Sequence, residues 1–236
     1  MCHRFNEADN KNVTKYVTDA LAAEVAAGQG ASTSFYHNNA YKKHELPECF
    51  ERNSEGMMKN MAVHELALLV TFYGVRADNI ARVVADQAYS SHQTLQGPSQ
   101  GTKFTDFDAI GFTLTTTEGR TVSVFADRCG DTNGGGFSEA VVKDGKGQEV
   151  AKTITPDASL KAVVAAKQAA HPGWMPYFHL QHDDYITLKE RVCSAILSGT
   201  KPEGVATLDI ASETLKLAEY LTDVFSQQLS NQRSRL

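Results

Sequence analysis

The segment between residues 104 and 155 limits what this chain can become more than any other. Phe107-Asp-Ala-Ile-Gly-Phe-Thr-Leu-Thr115 alternates apolar and polar positions in places, Glu118-Gly119 offers a hairpin turn, and Thr121-Val-Ser-Val-Phe-Ala126 can pair back on it. Phe137 to Val142 and Gln148 to Ile154, joined at Asp144-Gly145, repeat the pattern. A side-chain period of two, interrupted by Gly turns, describes antiparallel strands that each hide one face. Something must cover that face, and the flanking sequence has the helical period to do it.

Asn10 or Asn12 can cap a helix reaching Ala27, with Val13, Val17, Leu21 and Val25 four apart, and Gly28 and Gly30 stop it. Ala31 to His37 is short and β-prone. Ser54 opens a second helix through about Tyr73, on which Met58, Met61, Glu65 and Leu69 share a face. Asp78 can cap a third, to about Tyr89, and residues 90–103 are polar and loop-like. Beyond the strands, Asp157 caps a helix to about Ala170, Pro172-Gly173 breaks it, and two more run over about 184–198 and 206–229. The last carries Leu208, Ala211, Leu215, Ala218 and Leu221 on one face. The expectation is an α+β chain, a single domain over 1–236. It is helical over 1–103 apart from one Ser-Thr-Ser strand, β-rich over 104–155 and helical over 156–236. A small, mainly antiparallel sheet is flanked by the N-terminal and C-terminal helices.

The net charge of −5 over 236 residues gives no whole-molecule attraction to nucleic acid or anionic lipid. The longest apolar-rich run, Met57 to Val75, holds Lys59, Asn60, His64 and Glu65, so no membrane span is expected. The first residues lack the apolar core of a signal peptide. A soluble protein is expected, cytoplasmic or delivered into a host cytosol without a cleaved signal. Cys2, Cys49, Cys129 and Cys193 form no CxxC pair and fit free thiols in a reducing compartment. No metal site is expected. His179-Leu-Gln-His182-Asp183-Asp184 lacks a distant third partner, and His64-Glu65 is followed by Leu68 where a zinc protease would place its second His. His64-Glu65 therefore reads as a helix-surface or interface pair.

Gly30-Ala-Ser-Thr-Ser-Phe-Tyr-His-Asn-Asn-Ala-Tyr41 resembles the second motif of the arginine–serine–glutamate class of bacterial ADP-ribosyltransferases, with Ser-Thr-Ser on an edge strand. Arg4, upstream, fits the arginine of that class, and Glu139, opening Glu-Ala-Val-Val, fits its glutamate. The resemblance implies a toxin or effector that transfers ADP-ribose from NAD, used as substrate, to a host protein. Glu139, with Ser34, would be catalytic and stabilise the ribose cation. Arg4 would bind the pyrophosphate. Ser32 and Thr33 would order the site, Phe35 or Tyr36 would stack on nicotinamide, and His37 and Asn39 would donate to phosphates or amide. Glu149 is the reserve glutamate. Phe137 stands where the class has Glu or Gln, which shifts the expected acceptor to a Ser or Thr hydroxyl. Ubiquitin is a conceivable target. Ser34-Phe-Tyr-His-Asn is also similar to the Tyr-His-Gly-Thr motif of the diphtheria-like class, without its Gly-Thr.

Two other readings stand beside it. A cysteine hydrolase or deamidase would use Cys129 or Cys49 as nucleophile, His171, His179 or His182 as base and Asp183 or Asp184 as orienter. A non-enzymatic host-interaction protein would bind its partner through the terminal helices.

Overall fold

The computed structural model describes residues 32–130, 136–174, 176–202 and 205–233. The proposed helix to Ala27 and Arg4 lie outside these residues. Among the described residues seven strands form one sheet: β1 (Ser32–Asn38), β2 (Ile80–Ala85), β3 (Ser91–Gln96), β4 (Lys103–Thr116), β5 (Thr121–Asp127), β6 (Phe137–Lys143) and β7 (Glu149–Thr155). Their order is β2-β4-β5-β1-β6-β7, with β3 pairing the first half of β4. Every pairing is antiparallel except β1 with β5. The fold is α+β and the sheet mainly antiparallel, as expected, but it is not small.

The described helices are α1 (Leu46–Arg52), α2 (Met57–Asn60), α3 (Val63–Phe72), α4 (Ala158–Ala170), α5 (Pro176–Ser198) and α6 (Leu208–Arg233). Alternation along the central strands sends Thr33 and Phe35, Val122 and Val124, Ile110, Phe112 and Leu114, and Ala140 and Val142 to one face, all buried. There they meet Met57, Met58 and Met61, Leu66 and Leu69 of α3, and Leu217, Leu221 and Phe225 of α6 in one continuous core. The opposite face carries Ser34, Tyr36, Ser123 and Phe125, all partly exposed, the one-sided burial usual for antiparallel sheets. On it the Tyr36 and Phe125 rings stack at 4.9 Å, and Tyr89 meets Phe125 edge-on. Gly111 lies under this stack: a Cβ there would come within 2.9 Å of the Phe125 ring and 3.0 Å of the Tyr89 ring. Gly111→Val is therefore expected to destabilise by about 1–3 kcal/mol through overpacking, read as a lower denaturation midpoint. An unchanged midpoint would show that the stack yields freely.

Several elements depart from the sequence expectation. Residues 80–85 form β2 rather than a helix from Asp78, because pairing with residues 112–116 of β4 outweighs local pattern. The polar stretch 90–103 holds β3, whose partner is again β4. The single helix foreseen from Ser54 is two, α2 and α3, preceded by α1. The stripe on α6 is rotated: Leu208 is 89% and Leu215 47% exposed, while Thr214 is buried. Thr214 tolerates the core because its hydroxyl donates to the Ile210 carbonyl at 2.6 Å. Asp157 does cap α4, its carboxylate accepting from the Leu160 amide at 2.7 Å. No described helix is long and apolar enough to cross a membrane.

Candidate active site

The Ser-Thr-Ser strand is not at an edge. β1 sits between β5 and β6, with Ser34 beside Ser123 and Val141. The side chains therefore divide by face: Thr33 and Phe35 point into the core, Ser34 and Tyr36 to the opposite face. Thr33 is 1% exposed and its hydroxyl accepts from Tyr73 at 2.6 Å. Glu139 is the direct neighbour of Tyr36 across β6 and sits two positions from Ser34 in register. Its carboxylate pairs with Lys152 on β7 at 3.0 Å. Glu149, the reserve, opens β7. Asn39 follows β1 and donates its amide to the Asp127 carbonyl.

His37 has a different setting. Its Nδ1 lies 2.9 Å from Glu65 Oε2, with side chains 16% and 2% exposed. Burial would push the Glu65 carboxyl up, but the positive charge and hydrogen bond of His37, aided by His64, outweigh it and hold the group below its ordinary 4.5. Burial would likewise pull His37 down, and the Glu65 carboxylate reverses this, raising His37 above its ordinary 6.5. His64 is adjacent, at the surface, its ring centroid 5.8 Å from that of His37. Loss of water around it and the neighbouring His37 lower its pKa, against the opposing pull of Glu65. The result is a buried Glu65–His37 ion pair with the His64 imidazole beside it at the surface. Glu65 lies in the first turn of α3, where the helix dipole favours a carboxylate. The surface-pair reading of His64-Glu65 is thus overturned for Glu65, which faces β1 in the core.

Two bonds fasten α3 to β1: Glu65 to His37 at one end and Tyr73 to Thr33 at the other. Eight residues of helix advance about 12 Å, and four residues of strand about 13 Å, so the two spacings match and the antiparallel pair is held without bending. The start of α2 is set by Asp106, whose Oδ1 accepts from the Met57 amide and whose Oδ2 meets Arg128 at 2.9 Å. Arg128 is fully buried, and its other contacts are Cys49 Sγ at 3.2 Å, the Phe107 carbonyl and the Phe50 ring.

These contacts speak against an activated thiol. Cys49 is 1% exposed and already accepts from Arg128 and Asn53. Cys129 is pushed up by burial and then by Asp127 and Asp108, opposite to the requirement for a nucleophilic thiolate. His171 and His179 stack with Trp174 instead of meeting either cysteine. The side chains of Asp183 and Asp184 lie outside the described set. Among the described residues no cluster of three metal-ligating side chains occurs.

The pairing has a pH signature. Glu65, depressed in the folded state, stabilises fully above its ordinary value of 4.5 and loses that contribution as pH falls below it. His37, raised when folded, stabilises fully below its ordinary 6.5 and loses that contribution as pH climbs past its raised folded value. The excess stability of the wild type over His37→Gln is therefore expected to be greatest between about pH 4.5 and 6.5, and to shrink on both sides. Denaturation midpoints at a series of pH values measure it, and a flat difference would refute the ion pair.

No family model matches this chain, and no curated protein resembles it in sequence. Solved structures do resemble its fold. A structure described as a "probable dehydrogenase" of Thermotoga maritima superposes with a TM-score of 0.54 at 14% identity, covering 86% of this chain and 57% of that one. GenD2 from gentamicin A biosynthesis, solved in complex with NAD, gives 0.54 at 14% identity over 87% and 56%. A protein of Sinorhizobium meliloti 1021, provisionally assigned as a myo-inositol dehydrogenase, gives 0.51 at 13% identity over 86% and 57%. The chain shares its fold with part of each of these structures. It spans a little over half the length of these structures. The likeness overturns the expected ADP-ribosyltransferase, and with it the transferase, toxin and virulence-effector reading. A three-residue Ser-Thr-Ser match carried that expectation, and β1 uses these residues as a central strand instead.

The sequence reading placed His37 in a site but missed Glu65 and His64 as its companions. The usable signal was Glu65 on the apolar face of a helix, where an ionisable residue needs a partner, with a His next to it.

Proposed function

We propose that this chain is the proton-transferring part of a nicotinamide-dependent dehydrogenase acting on hydroxy compounds of the sugar or polyol kind. The observation that carries it is the surface imidazole of His64, held neutral in front of the buried Glu65–His37 pair. The dehydrogenase-like fold supports the reaction class, and the Sinorhizobium neighbour suggests the substrate class. NAD remains part of the reading, as a hydride acceptor rather than as a source of ADP-ribose.

Oxidising an alcohol removes a hydride from carbon and a proton from oxygen. A bound nicotinamide supplies the hydride acceptor; the residues here account for the proton. His64, neutral near pH 7, accepts a hydrogen bond from the substrate hydroxyl and takes its proton through a ring nitrogen. The imidazolium that forms is attracted by Glu65, whose charge already acts to raise His64. His37 keeps Glu65 ionised despite its burial, so the carboxylate stays in place as an electrostatic partner and does not itself protonate. The described residues fit this reacting end but offer no seat for the pyrophosphate of a dinucleotide, so no step is assigned to its binding.

The test is a titration of the histidine ring signals by NMR with myo-inositol, glucose and glycerol. At least one polyhydroxy compound is expected to shift the His64 signal saturably, and to leave the signals of His171 and His182 in place. No shift at His64 with any of them, up to tens of millimolar, would sink the reading.

A further inference from the structure

Three rings come together where α4 gives way to α5, on residues the functional reading does not use. His171 follows α4 directly, Trp174 lies in the turn, and His179 stands at the start of α5. The turn is fastened from α4. The Gln168 side-chain amide donates to the carbonyls of Trp174 at 2.7 Å, Pro172 at 3.2 Å and His171 at 3.4 Å. The Trp174 amide also donates to the His171 carbonyl at 3.1 Å. The backbone that presents His171 and Trp174 is therefore held in place.

His179 is 3% exposed, and its Nε2 is buried with no hydrogen-bond partner. A polar atom buried in this way costs stability, and ligation of a metal ion satisfies it, since imidazole nitrogens are the commonest metal ligands. The ring of His171, an exposed residue, is a neighbour: the two imidazole centres are 6.2 Å apart, with 24° between their planes. Two imidazoles that share one ion through nitrogens at about 2.0–2.1 Å have centres roughly 5–6.5 Å apart, depending on the angle at the metal. The observed spacing falls in that range.

Trp174 lies 4.9 Å from His171 and 5.5 Å from His179, nearly parallel to both. An indole sandwiched between them would set them about 7 Å apart, two contact distances of about 3.5 Å. At 6.2 Å the indole lies alongside the pair and does not part it.

We propose that His171 and His179 form a two-imidazole site for a first-row transition-metal ion of the nickel, copper and zinc group, which imidazole suits. Each ring gives one nitrogen, Nε2 in the case of His179. Among the described residues no third His, Cys, Asp or Glu completes the set, so water fills the remaining positions of the ion. Bound there, the ion ties the end of α4 to the start of α5 and gives the buried nitrogen its partner. The sequence offers His182 as the companion of His179; the fold brings up His171, eight positions upstream.

The experiment titrates Ni²⁺ into the full, untagged chain and follows the fluorescence of Trp174, its single tryptophan. Saturable quenching with a Kd below about 100 μM is the expected result. Excess Zn²⁺ should reverse it by competing for the same nitrogens. His171→Gln should weaken binding by about 10-fold or more. That side chain is exposed, so the fold should survive the change and the loss can be read as lost ligation. His182→Gln should leave the affinity nearly unchanged. A Kd weaker than about 100 μM, or equal affinity in the wild type and His171→Gln, would overturn the site. An equal loss in His182→Gln would do so too, because it would move the ion to another part of α5. None of these outcomes bears on the reading of His64.

Discussion

Arg128→Ala is expected to destabilise the protein by about 3–5 kcal/mol, the loss typical when one member of a buried ion pair is removed. The guanidinium is fully buried and pairs with Asp106 at 2.9 Å while also donating to Cys49 Sγ and the Phe107 carbonyl. Removing it strands the Asp106 carboxylate, 7% exposed, with the Met57 amide as its remaining partner among the contacts described here. It also empties the space beside Phe50. Chemical denaturation measures the effect, and a loss under 1 kcal/mol would mean the site relaxes or admits water. The double variant Arg128→Met with Asp106→Leu separates the two parts of the argument. Without a stranded charge it should recover much of the stability, because a buried pair is often no better than apolar side chains of similar volume. Asp106 sets the first turn of α2, so the single variant should also disturb the start of α3 and broaden the His64 signal.

The second large effect is on chemistry. His64→Gln is expected to lower kcat/KM for polyol oxidation by about 10²–10⁴-fold, the usual contribution of a positioned general base. Nucleotide reduction is followed with the dinucleotide in large excess. The imidazole is at the surface, so the fold should survive and the denaturation midpoint should stay close to that of the wild type. Glu65→Gln gives a complementary result. It keeps the shape but removes the charge that attracts the His64 imidazolium, so the rising limb of the pH–rate profile should move to lower pH as the basicity of His64 falls. Unchanged turnover in His64→Gln would eliminate the proposed base. A pH profile untouched by Glu65→Gln would confine Glu65 to a structural role.

The likeness to dehydrogenase structures and the histidine cluster are separate lines of support. The first describes the chain path alone, at 13–14% identity. The second comes from side chains of this molecule. The functional proposal is built on the second, at the start of α3 against the end of β1.

What the sequence determined by itself was local. Period-two alternation with Gly119 in the turn specified β4 and β5, because a hairpin needs only neighbouring residues and a backbone at positive φ, here +85°. Asp157 specified the start of α4 for the same reason: its carboxylate and the amide it caps are three residues apart. Tertiary structure decided everything that depends on distant partners. β2 exists because the far half of β4, beyond the intervening β3, pairs with it, while β3 is a hairpin partner of β4 whose polar residues hid it. Ser32 to Ser34 became a central strand because β5 and β6 close on both of its sides. The site itself was legible only as fragments, His37 in one segment and His64-Glu65 in another, 28 positions apart between His37 and Glu65. Folding turns them into one acid–base group because a buried carboxylate must find a positive partner, and packing α3 along β1 puts His37 within hydrogen-bonding distance of Glu65.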